Sequence, residues 1–227
     1  MSRSGQREYW NDHIESWDAS AYGRAGSLPL LERLATPLRG HLKDRRNYAI
    51  GVVLRTAPRA ILELGCGTGE LLASLPAEFS LGRYVGVDVS RVAIEKARSR
   101  RYAVALASEP EFLVSSIDEL DSAPYSDFDL VLGLGLTPYL KDDEFEKLVT
   151  LVGDRPFLFD YHASGASLRN LLHWIYRRLV NFPFYRLFDA DEIGSIIRQA
   201  GIVDFEVVEH KRLSFVQRLP ARQPEVA

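Results

Sequence analysis

The chain has 227 residues, of which 46% are hydrophobic and 26% charged, with a formal net charge of -3 and an isoelectric point near 6.0. That length suits one α/β domain with a full core that needs no disulfide or metal, and the acidic balance removes the broad positive field of a sequence-independent nucleic-acid binder. The single cysteine, Cys66, excludes an internal disulfide and a cysteine metal cluster and suits a reducing, cytoplasmic setting. Residues 1–7 carry no apolar signal-type run, and no stretch is long enough to span a bilayer.

Over residues 1–27, Trp10, Ile14, Trp17 and Ala21 recur at three- and four-residue intervals, which predicts an amphipathic helix ended by Gly23 and Gly26. Its aromatics, Tyr9, Trp10, Trp17 and Tyr22, either cover the core or line a pocket. Two helical segments are expected from Pro29 to Thr56, broken near Pro37 to Gly40. The second carries Lys43, Arg45 and Arg46, a cluster that reads as a solvated face. Pro58 then stops the helix.

Ala60 to Leu64 suits a strand buried on both faces. The alternating Gly65, Gly67 and Gly69 after it form a tight turn whose main chain a ligand can approach, and a helix opening near Glu70 aims N–H groups at the same place. The dinucleotide fingerprint needs a small residue at its sixth position. Glu70 stands there, and its charge would repel a pyrophosphate. The turn therefore argues against NAD or FAD.

The stretch Glu63-Leu64-Gly65-Cys66-Gly67-Thr68-Gly69 closely resembles the first motif of the class I S-adenosylmethionine-dependent methyltransferases. In that family the glycine turn faces the amino-acid part of the cofactor. The resemblance runs from about Asp44 to Leu219 and implies S-adenosylmethionine as cofactor, with Glu63, Gly65, Cys66, Gly67 and Gly69 in its site. It also implies that the N-terminal helix lies across the cofactor and substrate pocket.

The second strand, Tyr84 to Val89, places Asp88 about twenty residues past the turn, where open α/β sites set a carboxylate against ribose hydroxyls. The other reading of Asp88 is an N-cap for the helix starting at Arg91, which Ser90 could equally provide. By the resemblance, Val89 adjoins the cofactor. A helix over Arg91 to Arg101 leads to a third strand near Phe112 to Ser116. Many family members carry an aspartate there for the adenine amine; the matching position is Ser116, followed by Ile117, which can press on the ring. Asp118 could take the amine contact or cap the next segment.

The fourth strand, Phe128 to Gly133, opens on a Phe-Asp pair that resembles the family's fourth-strand motif, and Gly133 falls at the cofactor end. The Asn/Asp-Pro-Pro-aromatic signature of amide and adenine N-methyltransferases is absent from Leu134 to Leu140. Tyr139 stands where members acting on small metabolites often have His; it orients a nucleophile or packs under a substrate loop. The fifth strand, Pro156 to His162, carries Asp160 and His162 to the carboxyl end of the sheet. His162 is the best general-base candidate, with a structural role as the alternative. Asp160 orients it or pairs with the backbone.

Residues 167–180 combine an apolar stripe with Arg169, His173, Arg177 and Arg178 on much of the other face. This is where the family inserts a substrate lid, here 163–188. An aromatic and basic lid suits a large apolar substrate with an anionic group; such a helix can also rest on membrane lipid or simply pack on the sheet. A helix from Asp189 to Ala200, two strands near Phe205 to Glu209 and Ser214 to Leu219, and a mobile tail over 220–227 complete the chain.

The expected fold is α/β: a doubly wound, mostly parallel, seven-stranded Rossmann-like sheet with an antiparallel C-terminal hairpin. It forms a single domain over 1–219, with 1–57 as a helical cover. The expected function is methyl transfer from S-adenosylmethionine to an O- or N-nucleophile on a small apolar or aromatic acceptor, without a metal. The alternatives are an RNA or protein methyltransferase and a non-catalytic cofactor binder. Tyr22, within Trp17 to Gly23, is similar to the N-terminal tyrosine region of magnesium-porphyrin O-methyltransferases. Tyr139 stands in place of the histidine of that subfamily, which is therefore the runner-up; His162, Tyr139 and Tyr22 are the catalytic candidates.

Overall fold

The computed structural model describes residues 3–22, 41–121, 125–164 and 184–220. Among these, the strands are β1 (Ala60–Leu64), β2 (Ser80–Leu81), β3 (Arg83–Asp88), β4 (Ala105–Leu106), β5 (Glu111–Val114), β6 (Leu130–Gly133), β7 (Phe157–Tyr161), β8 (Glu206–His210) and β9 (Leu213–Arg218). The α-helices are α1 (Arg3–Tyr22), α2 (His41–Thr56), α3 (Glu70–Ala73), α4 (Arg91–Ser99), α5 (Asp142–Val152) and α6 (Ala190–Gln199). The helical segment expected from Pro29, the lid stripe of 167–180 and the tail from 221 lie outside the described residues.

Seven strands form one sheet in the order β5-β3-β1-β6-β7-β9-β8. The first five are parallel, and β9 and β8 close the sheet as an antiparallel hairpin. Chain direction across the sheet reverses between β1 and β6, so the loops that follow these two strands flank the switch point at which open α/β sheets bind ligands. The short ladder of β2 with β4 was not expected.

The continuous apolar runs of β1 and β7 become strands buried along their whole length. Alternation then divides their side chains between two cores. Leu62 and Leu64 join Phe145 and Leu148 of α5 and Ile193 of α6, while Ile61 joins Val52 and Val53 of α2 and Ile94 and Ala97 of α4. Helices thus cover both faces, as a parallel sheet requires.

Short polar contacts set the element ends. The Asp129 carboxylate accepts from the amides of Arg59 at 2.8 Å and Ala60 at 3.1 Å, so the Phe-Asp pair before β6 pins the start of β1. Ser90 caps α4 by accepting from Ala93 N, and Asp189 caps α6. The helix after the glycine turn opens at Glu70, as expected. It is one turn, Glu70–Ala73, ending where Ser74 Oγ donates to the Glu70 carbonyl.

Between β1 and β3 lies a buried acid. Glu63 is 3% exposed and accepts the Tyr84 hydroxyl. Burial pushes its carboxyl up to about 8, against the lowering effect of the Tyr84 bond. The folded state therefore binds this proton more tightly than the unfolded chain, and the stability it contributes is complete below the ordinary carboxylate range and lost as pH rises through about 8. Glu63→Gln keeps an acceptor for Tyr84 without the titration. Urea unfolding should show the variant gaining about 2–4 kcal/mol on wild type between about pH 5 and pH 9; a pH-independent difference between the two would contradict the assignment.

Candidate active site

The glycine turn is fastened to the end of β3. Gly65 N and Cys66 N donate to the Val87 carbonyl at 2.8 and 3.0 Å, and Gly67 N donates to Asp88 Oδ2 at 2.8 Å. Gly67 has φ +53°, and a Cβ built on it would meet no atom within 4 Å. It opens into a cavity whose lining includes Glu63, Gly65 and Cys66 together with Ile14, Arg45 and Arg46. Gly69 serves the fold instead. Its φ is +73°, and a Cβ there would run into the Tyr102 hydroxyl.

Asp88 also accepts from Ser90 N at 2.8 Å. Burial raises its pKa, opposed by backbone donors at Ser90, Gly67 and Val89. Because Ser90 caps α4, the capping alternative for Asp88 falls away. A carboxylate has about four acceptor positions, so three backbone donors leave capacity for one further hydrogen bond, such as that from a ribose hydroxyl. Beyond β5, Ser116 caps the short 3-10 turn Ile117–Glu119 and exchanges hydrogen bonds with Glu119, while Ile117 is buried. Asp118 lies within that turn and does not cap it. Gly133 is set by packing: a Cβ there would stand 2.8 Å from the Phe159 ring.

Three charge assignments change. Glu70 does not confront the turn as a lone negative charge, because Arg46 and Arg100 each reach one of its oxygens at 2.7 Å; the repulsion expected against pyrophosphate is neutralised. Lys43 is exposed, as a solvated face requires, but Arg45 and Arg46 turn inward. Arg45 is 6% exposed and pairs with Asp160 at 3.2 Å. Asp160, fully buried, also accepts from Gly135 N, so it binds the backbone and Arg45 and does not orient His162.

His162 and Tyr139 are brought into one aromatic run through a residue that the sequence did not single out. The Tyr185 hydroxyl is hydrogen-bonded to His162 Nδ1, and the Tyr185 ring stands edge-on to both His162 and Tyr139, with centroids 5.4 Å away in each case. Trp10 continues the run, edge-on to Tyr139 at 5.2 Å. The signal for Tyr185 was present in the aromatic stretch Phe182 to Phe188, but its partner lies 23 positions earlier. Tyr22 ends α1, and its side chain is outside the described set.

Helix α1 crosses the carboxyl ends of the strands. Ser90 Oγ donates to Asn11 at 3.0 Å, Gln6 donates to the Tyr139 carbonyl at 3.3 Å, Arg7 pairs with Glu119 at 3.2 Å, and buried Ile14 reaches the cavity. The exposed Arg7 pair adds little energy. Among the described residues no helix is long and apolar enough to cross a membrane. Bare main chain at Gly67, acceptor capacity at Asp88 and a wall containing both carboxyl and guanidinium groups fit the amino-acid and ribose parts of S-adenosylmethionine.

No curated protein sequence matches the chain. Among solved structures, it resembles magnesium protoporphyrin IX methyltransferase from Synechocystis PCC 6803 with bound SAH, at TM-score 0.68 and 14% identity, over 96% of this chain and 100% of that one. A possible exported protein from Bordetella parapertussis aligns at TM-score 0.73 and 17% identity, over 92% and 79%. An O-methyltransferase family protein from Burkholderia thailandensis aligns at 0.61 and 14%, over 96% and 71%. At these identities the likeness concerns the fold. Residues 61–153 match the family described as a methyltransferase domain. That match runs from β1 into the turn after α5 and so takes in the glycine turn and both strands that flank the switch point.

Proposed function

We propose that the chain methylates an oxygen or nitrogen nucleophile on a small apolar or aromatic acceptor. The observation that carries this reading is the run Trp10, Tyr139, Tyr185 and His162 at the carboxyl end of the sheet, which offers aromatic faces and edges beside a proton acceptor. The net charge of -3 favours such an acceptor over a polynucleotide. The chain's one cysteine, buried in the glycine turn, is consistent with a cytoplasmic setting. Two structural relatives bear the names magnesium protoporphyrin IX methyltransferase and O-methyltransferase family protein, which agree with this reading.

Bound S-adenosylmethionine supplies a methyl group on a sulfonium, whose departure as a neutral thioether makes it a good leaving group. The nucleophile forms a bond to the methyl carbon, the carbon–sulfur bond breaks, and its electron pair stays on sulfur. Alignment and exclusion of water are then the protein's main tasks. In this reading Gly65, Cys66 and Gly67 present main chain to the cofactor's amino-acid end, Asp88 and Val89 border its ribose, and Ser116 and Ile117 border its adenine. Tyr139 orients the acceptor. His162, held through Nδ1 by Tyr185, takes the proton of a hydroxyl or protonated amine.

Incubating the protein with methyl-labelled cofactor and either a metabolite extract, bulk tRNA or bulk protein tests the acceptor class. Label should enter the apolar small-molecule fraction; transfer to tRNA or protein would overturn the proposal. Asp88→Ala should weaken SAH binding by about 1.5–3 kcal/mol in calorimetry through loss of charge-assisted contacts, and an unchanged affinity would remove Asp88 from the ribose. His162→Ala should lower turnover about a hundredfold or more while leaving SAH affinity nearly unchanged. The reverse pattern would make His162 structural.

A further inference from the structure

Main-chain bonds bring Tyr185 to His162. The chain returns beside the end of β7, where Phe188 N donates to the His162 carbonyl at 2.9 Å, Ser164 N donates to the Phe188 carbonyl at 2.7 Å, and Ala163 and Phe188 form an isolated parallel bridge. Next to Tyr185 itself, Arg186 N donates to the Pro138 carbonyl at 2.7 Å. The Arg186 guanidinium reaches the carboxylates of Asp142, which starts α5, and Glu192, in the first turn of α6. A backbone so anchored delivers the Tyr185 ring between Tyr139 and His162 with its hydroxyl on His162 Nδ1. All three rings are half-buried, so each keeps part of its surface open at the carboxyl end of the sheet.

We propose that Tyr185 is a catalytic residue, whose hydroxyl takes the acceptor's proton while passing its own to His162 Nδ1. This rests on the methyl-transfer reading above and adds the group that touches the acceptor. A hydroxyl has one donor and two acceptor positions, so a proton shared with Nδ1 leaves the oxygen able to receive another. A neutral imidazole carries one bare nitrogen, and a phenol, which is far the weaker base, is the natural donor to it. For a hydroxyl acceptor, its oxygen bonds to the methyl carbon as its O–H bond breaks and the methyl carbon's bond to sulfur breaks, with that electron pair kept on sulfur. The released proton joins the Tyr185 oxygen, and the Tyr185 proton joins Nδ1. Tyr185 ends neutral and His162 ends as imidazolium, so no phenolate has to form near neutrality, which a phenol's ordinary pKa of about 10 disfavours. The order of the rings agrees: Tyr139, which orients the acceptor, meets Tyr185, and Tyr185 meets His162.

Two readouts on the full chain test the relay. Histidine-selective nitrogen NMR needs no acceptor: His162, identified by its loss in His162→Ala, should carry its proton on Nε2 with Nδ1 bare, and Tyr185→Phe should shift the Nδ1 resonance. The second is the initial rate of label transfer from methyl-labelled cofactor into the metabolite extract. Tyr185→Phe should lower it about a hundredfold or more, as His162→Ala does, with SAH affinity in calorimetry unchanged. It should also abolish the fall in rate that wild type shows below about pH 6.5, where an imidazole is already protonated. The double variant should be no slower than the slower single variant, since two residues acting as one relay do not lose rate additively. A proton on Nδ1, a near-wild-type rate in Tyr185→Phe, a retained acidic limb or additive losses would overturn the relay while methyl transfer to a small acceptor stands. Failure of wild type to label the extract would overturn both.

Discussion

The hydrogen bond from the Gly67 amide to the Asp88 carboxylate is the constraint on which the switch-point end of the sheet rests. It joins the apex of the glycine turn to the last residue of the neighbouring strand, and the register that pairs Leu64 with Val87 brings the two within reach. The same carboxylate accepts from Ser90, so one side chain shapes the turn, the entry to α4 and the rim of the cavity together. Burial works against its ionisation and the backbone donors work for it. An acid so held has little freedom to reorient, and preorganisation of that kind is what a ligand with fixed hydroxyl geometry requires.

A second constraint runs across the opposite side of the site. The Arg45 and Asp160 pair ties α2 to β7 across 115 positions of sequence, and Gly135 N holds the other carboxylate oxygen. Gly135 has φ +70°, and the Arg45 guanidinium occupies the space that a side chain there would fill. The loop after β6 is thus shaped by a buried charge. Thr137 adds a 2.6 Å bond to the Asp160 carbonyl, and the Pro138 carbonyl accepts from Arg186 N, which joins this loop to the segment carrying Tyr185. Cavity wall and aromatic run are therefore parts of one connected scaffold.

Much of this was legible because it is local. The run Ala60 to Leu64 with its three glycines, the position of Asp88, and strands separated by helical patterns define the sheet and its switch point through spacing alone. Partners distant in sequence were not legible. Lys43, Arg45 and Arg46 read as one charged face because nothing local reveals Asp160 or Glu70 as their counterparts. Glu70 read as a repelling charge for the same reason, since Arg100 lies thirty positions on, at the end of another helix. Tyr185 was hidden among neighbouring aromatics; only the return of the chain beside His162 distinguishes it.

Cys66 sits in the middle of the glycine turn with 5% of its surface exposed, packed where a Cβ on Gly86 would come within 2.9 Å of its sulfur. Burial holds the thiol protonated, well above its ordinary range. Since the sequence contains no other cysteine, labelling of the native chain by a disulfide-exchange reagent would track how often this loop lifts from the sheet. The fold has, in effect, placed its own single-site gauge of local breathing inside the glycine turn.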